Sequence, residues 1–256
     1  MVKRFTPSLP PPFLMRIKYE IPSNEEIDKY PLNIPFLDKK PFDLEINKKV
    51  LIVVGDNGSG KSTLLEAIAA NCGFSLVGGN RNHTVFDTEI APLSRYLRFS
   101  WKPRVSKGFF LRAETMFAFI SAIDEIAGET GRDIYEGYGG RSLSQRSHGE
   151  AFLSVFENRF GRQGLYIIDE PEAALSPERQ IEFLRLMKKL DDSDKCQLII
   201  ATHSVLLMAY PNAQLLRVTE HGLKRVEFHD MPHFKIMRNF CMSPDAFIEG
   251  ALMEDG

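Results

Sequence analysis

The sequence predicts one α/β domain with a mostly parallel core sheet, an antiparallel β part near the N-terminus and an inserted helical subdomain. Three observations predict it. Val50-Leu51-Ile52-Val53-Val54 is apolar throughout, as a strand covered on both faces requires. Two further apolar runs, 165–168 and 197–202, flank an amphipathic stretch at 177–190, a strand, helix, strand rhythm that implies parallel pairing. Near the N-terminus, 13–19 and 42–46 alternate apolar with polar residues instead, the period of half-exposed strands.

In chain order, Pro7, Pro10, Pro11 and Pro12 form an extended lead into the first alternating strand, and the proline-spaced stretch 22–41 reads as loop. After the apolar strand, 61–70 is helical, with Leu64, Leu65 and Ile68 on one side, and it stops at Asn71-Cys72-Gly73. From 78 to 140 come Gly/Asn-rich turns, a basic aromatic segment at 95–107, a strand at 109–112 and an apolar helix at 115–127. A helix over 151–160 ends at Gly161, a hairpin turns near Glu220-His221-Gly222, and a helix closes the chain. The expected division is a core of 13–77 and 160–225, an insert of 78–159 and a tail of 226–256, all in one domain, because 256 residues are too few for two ordinary domains and a linker.

Composition excludes several classes. A net charge of −2 argues against a scaffold that holds nucleic acid by bulk charge. Cys72, Cys196 and Cys241 are widely spaced and show no C-x-x-C pattern, so neither a disulfide framework nor a zinc site is suggested and a reducing cytosol fits. Lys3 and Arg4 are followed by no apolar stretch, and no run approaches membrane-spanning length, so a soluble, cytoplasmic chain without membrane insertion is expected.

Gly55-Asp56-Asn57-Gly58-Ser59-Gly60-Lys61-Ser62 matches G-x-x-x-x-G-K-[ST] in full, directly after an apolar strand and directly before a helix. Glycines let backbone N–H groups wrap a phosphate, and the helix N-terminus adds partial positive charge. Lys61 is expected on the β- and γ-phosphates of a nucleotide, Ser62 on Mg²⁺, and Thr63 among the nucleotide-binding residues. Asp169 ends an apolar strand, where its carboxylate reaches the same metal; Glu170, pointing elsewhere, is placed to polarise an attacking water as general base. His203, in Ala201-Thr202-His203-Ser204, ends another apolar strand and can sense the γ-phosphate, while Ser204 suits a helix cap. Ser147 and Glu150, in Ser147-His148-Gly149-Glu150, have the spacing of a capping box, and the same helix N-terminus is also an anion site; the two readings are compatible.

Together these stretches resemble the ABC-type ATPase family of P-loop proteins over about 50–216. The strings 108–114, 145–150 and 169–177 look like those of small stand-alone bacterial ATPases labelled AAA-family or SMC-like. The resemblance implies that 55–62 is the Walker A motif, 165–170 the Walker B motif, His203 the switch histidine, 147–150 the second half of the signature and 174–176 the D-loop. It further implies ATP and Mg²⁺ as cofactors, hydrolysis to ADP and phosphate, and an ATP-dependent homodimer in which Ser147 and Gly149 of one copy meet the nucleotide of the other. His148 and Glu150 depart from the family's glycine and glutamine, and Glu114 stands where its Q-loop glutamine is expected, as a candidate for contacting the Mg²⁺ waters.

The stretch 62–141 is too short and too rich in aromatics and glycine for a long coiled-coil arm, so the output of dimerisation must pass to a partner protein or to a surface of this domain. The basic aromatic segment suits nucleic acid, although such a run is more often a solvated strand or lid with its aromatics tucked inside. Beside the ATPase stand two alternatives: a nucleotide-gated module of slow turnover acting on nucleic acid or an effector protein, and a transporter subunit.

Overall fold

The computed structural model describes residues 9–22, 25–37, 40–76, 91–102, 104–130 and 134–253. Pro7 and the Gly/Asn-rich turns expected within 78–90 lie outside them. β1 (Leu14–Tyr19) and β2 (Phe42–Glu45) pair antiparallel, and β3 (Val50–Val54) then enters a second sheet with all five residues buried. α1 (Lys61–Cys72) ends at Gly73, whose φ of 76° lies in the left-handed region that favours glycine.

β4 (Leu97–Trp101) is the basic aromatic segment, and it returns to pair with β1, completing a sheet of order β2-β1-β4. β5 (Gly108–Arg112) crosses to the other sheet and is followed by α2 (Met116–Thr130) and α3 (His148–Arg159). The stretch 78–159 therefore holds a strand of each sheet as well as its helices. Then come β6 (Gly164–Asp169), α4 (Pro177–Asp192), β7 (Cys196–Ala201), α5 (Val205–Met208), β8 (Ala213–Thr219) and β9 (Gly222–Val226). The larger sheet has the order β5-β6-β7-β3-β8-β9, parallel except for the hairpin strand β9. Two helices, α6 (Pro232–Met242) and α7 (Pro244–Met253), follow. Among the described residues no helix is long and apolar enough to cross a membrane.

The continuous apolar strands are explained by two cores, one on each face of this sheet. Val50, Ile52 and Val54 face a cluster that includes Phe119 of α2, Phe152 and Phe156 of α3 and Phe183 of α4. Leu51 and Val53 face the other, built with Leu64, Leu65 and Ile68 of α1 and with Leu14 and Ile17 of the antiparallel sheet. Each fully buried side chain of this size contributes about 1.5–3 kcal/mol of transfer free energy.

Two buried glutamines join the sheets. Gln197 on β7 accepts from the backbone N–H groups of Phe13 and Leu14, each at 2.8 Å, and donates to the Leu14 carbonyl at 2.9 Å. Gln214 on β8 accepts from Asn47 N–H at 3.0 Å and donates to the Glu45 carbonyl at 2.9 Å. The carboxyl ends of β3, β6 and β7 thus lie side by side on a braced frame, with Val53 opposite Ala201 and Asp169 opposite Ala201.

Candidate active site

The loop after β3 is shaped by close approach. At Gly60, φ is 96°, and a Cβ would come within 2.7 Å of the Phe36 ring; at Gly55 a Cβ would meet the Val218 carbonyl oxygen at 2.7 Å. Asp56, Asn57 and Gly58 form the exposed tip. Lys61 opens α1 and is buried to 3% exposure, its ammonium donating to the carbonyls of Gly55 and Asp56, both at 3.0 Å. Burial lowers its pKa, opposed by Glu170, Asp169, Asp56 and Glu172. Ser59 Oγ, in the same loop, is buried without a partner among the described residues. An ammonium bound only to neutral carbonyls, beside an unpaired hydroxyl, fits a phosphate chain.

Beside it, Ser62 Oγ donates to Asp169 Oδ1 at 3.2 Å. Asp169 is 2% exposed, and its other oxygen accepts from Arg112 Nε at 2.9 Å. Arg112 Nη2 reaches Glu66 Oε1 at 2.6 Å, so the guanidinium bridges a β6 carboxylate and an α1 carboxylate. Burial raises the Asp169 pKa, and Arg112 and Ser62 partly offset it. Among the described residues no group of three or more His, Cys, Asp or Glu side chains forms a metal cage. A divalent ion here would rest on the Ser62 and Asp169 oxygens plus phosphate and water, which is how Mg²⁺ is ordinarily held. The donor set fits.

Glu170 adopts φ 49°, ψ 55°, a conformation rare for a residue with a Cβ and typical of strained functional positions. Its Oε1 lies 3.3 Å from His203 Nε2, while its backbone N–H donates to the Ala201 carbonyl at 2.9 Å. Glu172 fastens the histidine from behind, accepting from Thr202 Oγ1 at 2.7 Å and from the His203 backbone N–H. Ser204 caps α5 as expected, its Oγ accepting from Leu207 N–H at 3.3 Å.

Ser147, Gly149 and Glu150 lie elsewhere in the chain. The capping box is formed: Glu150 N–H donates to Ser147 Oγ at 3.3 Å and Glu150 Oε2 accepts from Ser147 N–H at 3.0 Å. Arg179 of α4 holds the other Glu150 oxygen at 3.0 Å, and a Cβ at Gly149 would meet the Ala174 carbonyl at 3.1 Å, so the start of α3 is seated on 174–179. Among the described residues, no hydrogen bond or ion pair connects Ser147 or Gly149 with 55–63 of the same chain. Glu114 is exposed and makes no hydrogen bond or ion pair with Ser62 or Asp169; the β5 residue that touches Asp169 is Arg112.

Sequence reasoning missed Arg112, Glu66 and Glu172, because their partners lie on other elements, far along the chain, and are not set by spacing. It also left the base-binding aromatic unassigned. Tyr30 stands next to the loop, its hydroxyl 3.4 Å from Thr63 Oγ1 and the residue 73% exposed. The basic aromatic segment is tucked inward: Leu97 is buried, Phe99 and Trp101 pack against the core, and Arg98 pairs with Glu20 at 3.3 Å.

Residues 113–207 match a family model described as an AAA ATPase domain, and residues 33–110 match one described as an AAA domain. Both matched stretches are thus similar to ATPase domains of the AAA type. An uncharacterized ABC transporter ATP-binding protein of Methanocaldococcus jannaschii is 26% identical over 181 residues, which is 65% of this chain and 62% of that protein. An OLD nuclease of Thermus scotoductus is 40% identical over 69 residues, 27% of this chain and 12% of the nuclease. The chain thus spans less than two thirds of either relative's own length. The solved structure of cbiO1 from Clostridium perfringens, part of the ABC transporter complex cbiONQ, matches with a TM-score of 0.51 at 17% identity, covering 94% of this chain and 99% of that one. That likeness is one of fold.

Proposed function

We propose that the chain binds ATP and hydrolyses it to ADP and phosphate, with Mg²⁺ as cofactor and the nucleotide sandwiched between two head-to-tail copies. The reading rests on one convergence: Lys61, the Ser62–Asp169 hydrogen bond at 3.2 Å and the Glu170–His203 contact at 3.3 Å meet at one edge of one sheet. The similarity to AAA-type ATPase domains supports nucleotide binding in general.

In this scheme Lys61 exchanges its carbonyl partners for the β- and γ-phosphates, and Thr63 and Tyr30 mark the side where the sugar and base lie. Mg²⁺ on Ser62 and Asp169 would supply charge neutralisation for the leaving phosphate. Glu170 takes a proton from a water whose oxygen bonds to the γ-phosphorus as the bridge to the β-phosphate breaks. His203 holds the terminal phosphate in line. Ser147 and Gly149, remote from the loop of their own chain, complete the site of a second copy.

Glu170→Gln tests it. Turnover is expected to fall about 10²–10⁴-fold, the usual contribution of a general base, while ATP shifts the variant to dimer mass in sizing experiments. A variant that hydrolyses ATP normally overturns the assigned base, and one that stays monomeric at saturating ATP overturns the shared site.

A further inference from the structure

Four buried side-chain polar atoms near the phosphate loop have no hydrogen-bond partner among the described residues: Ser59 Oγ, His203 Nε2, Arg217 Nε and His233 Nδ1. Glu170 lies 3.3 Å from His203 Nε2, an ion-pair distance without hydrogen-bond geometry. Native proteins leave few such groups unsatisfied, and several in one neighbourhood ask for a common partner.

They do share a neighbourhood. Arg217 on β8 stands opposite Val54, the residue before Gly55. His233 sits in the first turn of α6, its ring centroid 6.3 Å from that of His203. His203, Asp56, Arg217 and Lys61 act on it electrostatically, all of them around the loop. Ser59 and His203 belong to motifs already assigned. Arg217 and His233 come from the segment after β7, where no motif assigns a role.

We propose that His233 is a second imidazole contact to the terminal phosphate of a bound nucleoside triphosphate, set beside His203 and supported by Arg217, so that α6 registers whether that phosphate is present. The inference rests on nucleotide binding at the Lys61 loop. Its chemistry is that of an anion site: Arg217, Lys61 and the His203 imidazole act on His233 against the Asp56 carboxylate. Burial, followed by His203, Arg217 and Lys61, lowers the pKa of His233, with Asp56 opposing, which is the condition an incoming polyanion reverses. A diphosphate lacks the group that His203 faces across from Glu170, so the contact discriminates triphosphate from diphosphate.

The test compares equilibrium binding of fluorescently labelled ADP and of a non-hydrolysable ATP analogue, with Mg²⁺, in the full chain and in His233→Ala, His233→Gln and Lys61→Ala. His233→Ala is expected to weaken the triphosphate analogue about 10-fold or more, the size of a hydrogen bond to a charged group, and to leave ADP within about 2-fold. His233→Gln, which keeps a donor, should recover part of the loss. Hydrogen exchange over 232–242 should slow with the analogue and not with ADP. Equal losses for both nucleotides, or none for either, overturn the role of His233 while Lys61→Ala, by losing both, upholds the nucleotide site. Failure of the unsubstituted protein to bind either nucleotide overturns the site and the inference together.

Discussion

Arg112 and Asp169 stand opposite each other in the register of β5 and β6, and the guanidinium closes on the carboxylate at 2.9 Å. The two carboxylate oxygens are divided by this pairing, Oδ1 toward Ser62 and Oδ2 toward Arg112. The negative charge of a 2% exposed residue is thereby offset in part from within the chain, by a guanidinium shared with Glu66. Arg112→Gln leaves that carboxylate without its cation and is expected to destabilise the protein by about 3–5 kcal/mol, the range for breaking a buried pair from one side. Urea unfolding measures it. The loss should shrink in the Asp169→Asn background, and strict additivity of the two substitutions would show that the pair is not coupled.

Ser147 has two separable duties. Ser147→Ala removes only the cap and is expected to cost about 1 kcal/mol of stability, visible as a small drop in Tm. Ser147→Arg adds bulk at the face proposed to meet a second copy, and it should abolish ATP-dependent dimerisation and hydrolysis with nucleotide affinity unchanged. Loss of nucleotide affinity itself in Ser147→Arg would assign the residue to capping alone.

Tyr30, exposed beside Thr63, is proposed to stack on the base. Tyr30→Ala should weaken ATP and ADP alike by about 10-fold, within the range of a base–aromatic stack, and Tyr30→Phe should bind normally. A substitution that affects ATP only would place Tyr30 at the phosphates.

Asp191 lies 3% exposed between Lys49 Nζ at 2.9 Å, Tyr210 Oη at 2.8 Å and Asn212 Nδ2 at 3.0 Å. Burial alone would raise its pKa, but the hydrogen bonds from Lys49, Tyr210 and Asn212 and the Lys49 charge outweigh it and leave the carboxyl below the ordinary range. A carboxyl depressed in the folded state stabilises it fully above the unfolded value of about 3.9, and that contribution is lost as pH falls through the lower folded value. Asp191→Asn is expected to cost about 1.5–3 kcal/mol at pH 7 and to flatten the stability profile below about pH 4. An unchanged acid limb would dissociate Asp191 from acid unfolding.

What was legible in the sequence was local. The phosphate loop occupies 55–62 without interruption, and the capping box of α3 spans 147–150, so spacing along the chain is enough for both. The apolar strands announced a sheet covered on both faces because burial on both sides removes the alternation. Arg112 and Asp169 are 57 positions apart and meet only because two strands align laterally, which no periodicity encodes. Leu97, Phe99 and Trp101 alternate, which suits the strand or lid with tucked aromatics favoured over a nucleic-acid surface, and β4 serves as the third strand of the small sheet. Glu172 sits within a recognised string, yet its hold on His203 spans 31 positions and two strand ends.

The three hydrogen bonds of Gln197 impose unequal compliance on the molecule. Directional bonds between β7 and the start of β1 resist sliding, since a lateral shift would break all of them where Gln197 is fully buried. The opposite layer meets the same sheet through aromatic rings, with Phe109 touching Phe119 and Phe160, and such contacts can be exchanged during shear at little cost. The small sheet is therefore tied to the sheet that carries the phosphate loop by directional bonds, whereas the α2–α3 layer is held there chiefly by ring contacts.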